Sequence, residues 1–175
     1  DVNAVVVFIS EKLEKISRRD LIPLVHFGLT SEDINNTAYS LMTKGATKNI
    51  MVPAIKNVLK ELKKLARRTK SLPMLSLTHG QPATTTTLGK ELAVFISRIE
   101  RELVLINEIN LLAKFSGATG SYAAHKAAFP KANWSVFAKK FIKRLGLGQS
   151  PITSQVEPGD SIACLLYTSP SPRDP

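Results

Sequence analysis

The sequence predicts an all-α protein built from long packed helices, and three observations predict it. Aliphatic residues recur every three to four positions through most of the chain. Aromatic residues make up only 6%, while Leu, Ala, Ile and Lys are plentiful, a balance suited to helices that pack on aliphatic side chains. From residue 84 to residue 115 no proline interrupts that periodicity.

Over residues 2–16, Val5, Phe8, Ile9, Leu13 and Ile16 share one face, and the segment reads as a helix. Pro23 breaks the next stretch, and VHFGLT is a short connector. TSEDINN then carries a helix-start signal. The hydroxyl of Thr30 or Ser31 can accept an orphan backbone N–H, and Glu32 and Asp33 favour the positive end of the helix. This helix is expected to run through Leu41 and stop near Gly45. Pro53 suits the first turn of another, with Ile55, Val58, Leu59, Leu62 and Leu65 as its apolar stripe.

Residues 72–83, LPMLSLTHGQPA, are punctuated by Pro73, Gly80 and Pro82 and read as a loop between helices. Residues 84–115 then place Leu88, Leu92, Phe95, Ile96, Ile99, Leu103, Ile106 and Ile109 at helical spacing. One helix of that length would span about 48 Å, more than so short a chain can cover. It predicts a long bundle, a coiled-coil-like partner, or both. Gly117 and Gly120 are expected to end this helix, and a turn through Tyr122 and His125 leads to Pro130. A shorter helix covers residues 134–145, Gly146 and Gly148 stop it, and SPITSQVEPGDS reads as a loop. The last ten residues, LYTSPSPRDP, hold three prolines and are expected to form a non-native or disordered tail over 166–175, leaving 1–165 as one partial domain.

The formal charge is +10, with 24 Lys and Arg against 14 Asp and Glu. The basic runs Lys12 to Arg19 and Lys60 to Lys70 have Leu or Ile at helical spacing between the charges, the pattern of amphipathic helices with a solvated side. They lack the interleaved aromatics of single-strand binders, so no nucleic-acid partner is expected. Cys164 is the only cysteine, which excludes an intramolecular disulfide and any multi-cysteine metal site. No apolar run reaches the roughly 18 residues of a membrane span, and no signal peptide opens the chain, so no membrane is expected and the cytoplasm is the expected compartment. The chain does not begin with Met.

Three segments concentrate polar residues that a helical core does not need. In HFGLTSEDINN, the Thr30 and Ser31 hydroxyls at a helix start could cradle a carboxylate or phosphate, the alternative being an ordinary helix cap. In LTHGQPA, His79 lies off any apolar stripe, and an imidazole titrates close enough to neutrality to serve as a general acid. A hydrogen-bonded loop histidine is the alternative. In TSQVEPGD, Gln155 and Glu157 are weaker candidates, as are His26 and His125 elsewhere. No HExxH, GxSxG, P-loop or dinucleotide fingerprint is present.

HFGLTSEDINN, SLTHGQPATTTTLGKEL, KFSGATGSYAAHKAAFP and TSQVEPGD, in this order and at these separations, resemble the bacterial-type adenylosuccinate lyases of the fumarase/aspartase superfamily. The resemblance covers residues 1–165. It implies a helical bundle, truncated here, in a homotetramer whose active sites draw loops from three subunits. It also implies elimination of fumarate from adenylosuccinate, giving AMP, and from the succinylated aminoimidazole carboxamide ribotide, with no cofactor. By the same resemblance His79 is the acid that protonates the departing nitrogen. Thr30 and Ser31 grip the succinyl part, Gln155 binds substrate, and Asp1 ends a short substrate-contacting stretch.

The chain departs from the family pattern in four places. Nothing after Leu165 resembles the Ser-rich loop that carries the family's general base, and Gly159 stands where a histidine is usual. Asn3 replaces a residue that is often basic, and Ala124 one that is often Asn. The first two departures lead us to expect that the chain is inactive alone. Another fumarate-releasing lyase of the superfamily, or a non-enzymatic basic helical scaffold, are the competing expectations.

Overall fold

The computed structural model describes residues 2–167, so Asp1 and residues 168–175, most of the expected tail, lie outside the described residues. The chain divides into two compact units, residues 1–44 with 110–163 and residues 45–109 with 164–175. Helices dominate both, as the periodicity predicts.

In the first unit, α1 (Val2–Lys15) follows its expected limits, with Val5 and Phe8 exposed. Pro23 does not break the next stretch outright, because it sits inside a 3₁₀ turn, Arg19–Leu24. α2 (Ser31–Ala46) buries a polar stripe, Asp33, Asn36 and Ser40, rather than an apolar one. That stripe supplies partners for the backbone of an extended segment around residues 112–117. The Lys114 N–H donates to Asn36 Oδ1 at 2.8 Å, and Ser40 Oγ donates to the Leu112 carbonyl at 2.6 Å. Within this segment β3 (Leu112–Ala113) pairs in parallel with β4 (Gly148–Gln149).

Between the two strands lie α5 (Ala123–Ala128) and α6 (Trp134–Arg144). α6 starts where Asn133 Oδ1 accepts the Val136 N–H, and it buries Ala138 and Ile142. α7 (Asp160–Tyr167) extends two residues into the expected tail. His125, one of the weaker site candidates, belongs to the core instead. It is fully buried, neither ring nitrogen has a hydrogen-bond partner among the described residues, and its ring lies 4.8 Å from Trp134, 5.4 Å from Phe115 and 5.7 Å from Phe27.

α2 ends at Ala46, near Gly45 as expected, but the chain stays helical through a π turn, Thr47–Met51, into α3 (Val52–Arg68) of the second unit. A single glycine weakens a helix without forbidding it. The expected loop at 72–83 is a β-hairpin: β1 (Pro73–Thr78) pairs antiparallel with β2 (Gln81–Thr87). His79 and Gly80 form its two-residue turn with φ of 49° and 74°, the left-handed conformation that suits the twist of two antiparallel strands.

Because residues 84–87 belong to β2, α4 (Leu88–Glu108) begins only at Leu88, where Thr87 Oγ1 accepts the Lys90 N–H, and it ends before Asn110 rather than at Gly117. Its 21 residues span about 32 Å, not the longer rod expected. α4 returns along α3, burying Val52 and Ile106 with Leu165 and pairing Lys63 with Glu100 at 2.5 Å. Among the described residues no helix is long and apolar enough to cross a membrane.

Two outcomes follow from this packing. A Cβ on Gly89 would lie 2.6 Å from Lys70 Cα and against the Ala66 carbonyl, where α4 starts beside the end of α3. Gly89→Ala should therefore cost about 1–3 kcal/mol in a urea titration, as overpacked sites do. Burial pushes the His125 imidazole below its ordinary pKa, and the Asp33 charge only partly opposes this. The unfolded chain then binds a proton that the folded one resists, so stability is complete above pH ~6.5 and falls as the pH drops below it. His125→Phe should flatten that acid-side slope when unfolding is measured between about pH 5 and pH 7.5.

Candidate functional site

The site is best built from the start of α2. Thr30 and Ser31 stand where a hydroxyl commonly caps the helix, but here the side chain bonded at the helix start is that of Asp33. Its Oδ2 accepts the Thr30 N–H at 2.9 Å while its own N–H donates to the Thr30 carbonyl at 3.0 Å. This is one half of a capping box, the acid at the third helical position reaching back to the N–H before the helix, without the hydroxyl bond that would complete it. Among the described residues the Thr30 and Ser31 hydroxyls take no hydrogen-bond partner. They sit free at the positive end of a helix, half-buried at Thr30 and exposed at Ser31.

Asp33 does more than cap. Its carboxylate also accepts the Ser116 N–H at 2.9 Å and the Gly117 N–H at 3.1 Å, and it faces the Lys114 ammonium at 3.1 Å. Both side chains of this ion pair are fully buried. Lys114 Nζ donates further to the Gly117 carbonyl at 2.8 Å and makes a longer contact, 3.5 Å, with the Ser154 carbonyl. Ser116 Oγ meets Thr153 Oγ1 at 2.9 Å. Gly120, with φ of 74°, leaves room for this chain crossing, since a Cβ there would lie 2.9 Å from the Ser154 carbonyl. Nearby, burial pushes the Tyr122 phenol up, the Asp33 charge adds to this, and a hydrogen bond with Gln149 opposes it.

The connector 114–120 thus holds the HFGLTSEDINN segment on one side and the TSQVEPGD segment on the other. The first bears Thr30 and Ser31 and the second bears Gln155, whose amide is exposed and unpartnered among the described residues. Glu157 is spent on its own turn, accepting the Gly159 N–H at 2.7 Å. His79 belongs to the other unit, at the exposed tip of the hairpin, and its imidazole has no partner among the described residues. Asp1 lies outside the described residues. Among the described residues no three His, Cys, Asp or Glu side chains gather as metal ligands would.

Asp33 and Lys114 are what the motif reading missed. The available signal was the polar spacing 33, 36, 40 on one face of a helix, which reads equally well as a solvated side.

A family model described as "Lyase" matches residues 1–169. The chain is 44% identical to an adenylosuccinate lyase of Buchnera aphidicola over 93% of its length, and 42% identical to that of Escherichia coli K12 over 95%. It spans only 36–37% of the length of these relatives. Among solved structures it resembles a beta-carboxy-cis,cis-muconate cycloisomerase from Acinetobacter calcoaceticus, with TM-score 0.77 and 28% identity, covering 95% of this chain and 37% of that one. A fumarate lyase from Mesorhizobium is similar at TM-score 0.70 and 25% identity, with 90% of this chain and 40% of that one covered. With a family match across nearly all of its sequence, the chain belongs to the lyase family.

Proposed function

We propose that this chain is the part of an adenylosuccinate lyase that supplies the succinyl-gripping helix start and the acid-bearing hairpin, and that the complete protein releases fumarate from adenylosuccinate and from the succinylated aminoimidazole carboxamide ribotide. The observation that carries this is the unbonded hydroxyl pair Thr30 and Ser31 at a helix N-terminus where Asp33 takes the Thr30 N–H. An elimination of this kind needs such donors. A base removes the proton on the carbon beside a carboxylate, and charge builds on that carboxylate as an aci-anion. The two hydroxyls, with the helix end behind them, stabilise it there.

The C–N electron pair then leaves with the purine-side nitrogen as the C=C bond of fumarate forms. His79 gives that nitrogen its proton, from a hairpin tip that is free to meet a substrate. The Gln155 amide offers both a donor and an acceptor to the nucleotide, and Asp1 completes the contacts. The reaction uses proton transfers only and calls for no cofactor. Exposed Val58 and Phe95 on α3 and α4 suit burial between copies, and we assign the complete protein to a cytoplasmic homotetramer with shared sites.

A second assignment, another fumarate-releasing lyase, is favoured by the likeness to a fumarate lyase and a cycloisomerase at TM-scores of 0.70 and 0.77. A panel of succinylated substrates followed spectroscopically separates the two.

In the complete protein, His79→Ala should lower kcat for fumarate release by about 10²–10⁴-fold with the fold intact, as loss of a general acid does. Near-normal turnover would remove His79 from that role. Thr30→Val and Ser31→Ala should each lower kcat/KM without lowering the melting temperature, because neither hydroxyl holds the helix.

A further inference from the structure

We propose that Lys114 is a positioning residue for this site, its buried ammonium setting the start of α2 and the Gln155-bearing loop in one fixed relation. The inference rests on the function proposed above. Lysine is almost never fully buried unless paired, and Lys114 has no exposed surface at all. It cannot touch a substrate, so any effect on the reaction passes through its partners. Those partners lie on different segments: the Asp33 carboxylate at 3.1 Å, the Gly117 carbonyl at 2.8 Å and the Ser154 carbonyl at 3.5 Å.

Ser154 is the residue before Gln155, and Asp33 is the residue whose carboxylate holds the Thr30 N–H at the start of α2. Attachment of these segments does not itself require the charge. Asn36 and Ser40 already bond the 112–114 backbone, Ser116 bonds Thr153, and β3 pairs with β4. What the ammonium adds is a single point between the carboxylate on one side and the loop carbonyl on the other. Without it Ser154 loses a partner, and Asp33 keeps its backbone donors but no countercharge. The two substrate-facing segments then lose their common reference.

The experiment uses the complete lyase that contains this sequence. Lys114→Met keeps the length of the side chain and removes the charge. It should lower kcat/KM by about ten- to a hundredfold, the cost of displacing binding groups by a fraction of an ångström to an ångström. Adding Gln155→Ala to Lys114→Met should then change KM far less than Gln155→Ala does in the parent, because the glutamine is already misplaced. Effects that simply multiply would show a general loss of structure and overturn the proposal, as would unchanged kinetics.

If Lys114→Met does not fold, Asp33→Asn with Lys114→Met leaves no unpaired charge and carries the same kinetic test. Amide hydrogen exchange keeps this separate from the assignment of substrate. Exchange at Thr30 and at residues 153–156 should speed up in the variant while α3 and α4 keep their rates, whatever the enzyme acts on. Unaltered exchange at both places overturns the positioning role. A parent enzyme that releases no fumarate from adenylosuccinate, with the exchange change still present, overturns only the assigned reaction.

Discussion

The buried carboxylate of Asp33 meets four donors, the Lys114 ammonium and the backbone N–H groups of Thr30, Ser116 and Gly117. Removing two such charges from water costs several kcal/mol each, and their attraction offsets this only when the remaining lone pairs and protons are also satisfied. Here they are, since Lys114 has carbonyls of Gly117 and Ser154 for its other protons. A pair of this kind adds little net stability over an apolar substitute. It does specify which segments meet and in what register, because any slip leaves a charge buried and unpaired.

That constraint bears on the role proposed for the start of α2. Most N-terminal hydroxyls are consumed by the helix they begin. At the start of α2 the side-chain bond is instead made by Asp33, which accepts the Thr30 N–H, and the Thr30 and Ser31 hydroxyls take no partner among the described residues. The same acid fixes residues 116–117, and through Lys114 and Ser116 it fixes residues 153–154. The start of α2 and the proposed site therefore share one set of hydrogen bonds.

The parts of the fold with a 3.6-residue period were legible in the sequence. α1 and α6 lie within a residue of where the spacing puts them, and the two buried isoleucines of α4, Ile96 and Ile106, belong to the expected stripe. The hairpin was not legible. Its turn is His79–Gly80 rather than the usual Asn–Gly or Asp–Gly, its strands are mostly exposed and show no clean alternation, and Pro73 and Pro82 read as loop punctuation. The site divides in the same way. The words bearing Thr30, Ser31, His79 and Gln155 stand out locally, whereas Asp33 and Lys114 are 81 positions apart and look like ordinary surface charges. His125 shows the converse, a histidine in a polar-looking turn that the aromatic cluster of Phe27, Phe115 and Trp134 makes into core.

A double-mutant cycle on unfolding free energy tests the dependence on this ion pair most directly. Asp33→Asn and Lys114→Met should each cost about 3–5 kcal/mol, since each leaves a buried partner uncompensated. Together they should cost less than the sum by at least about 2 kcal/mol. Single losses that add to within about 0.5 kcal/mol would mean the two groups act independently, and the common anchor of the segments bearing Thr30, Ser31 and Gln155 would have to be sought elsewhere.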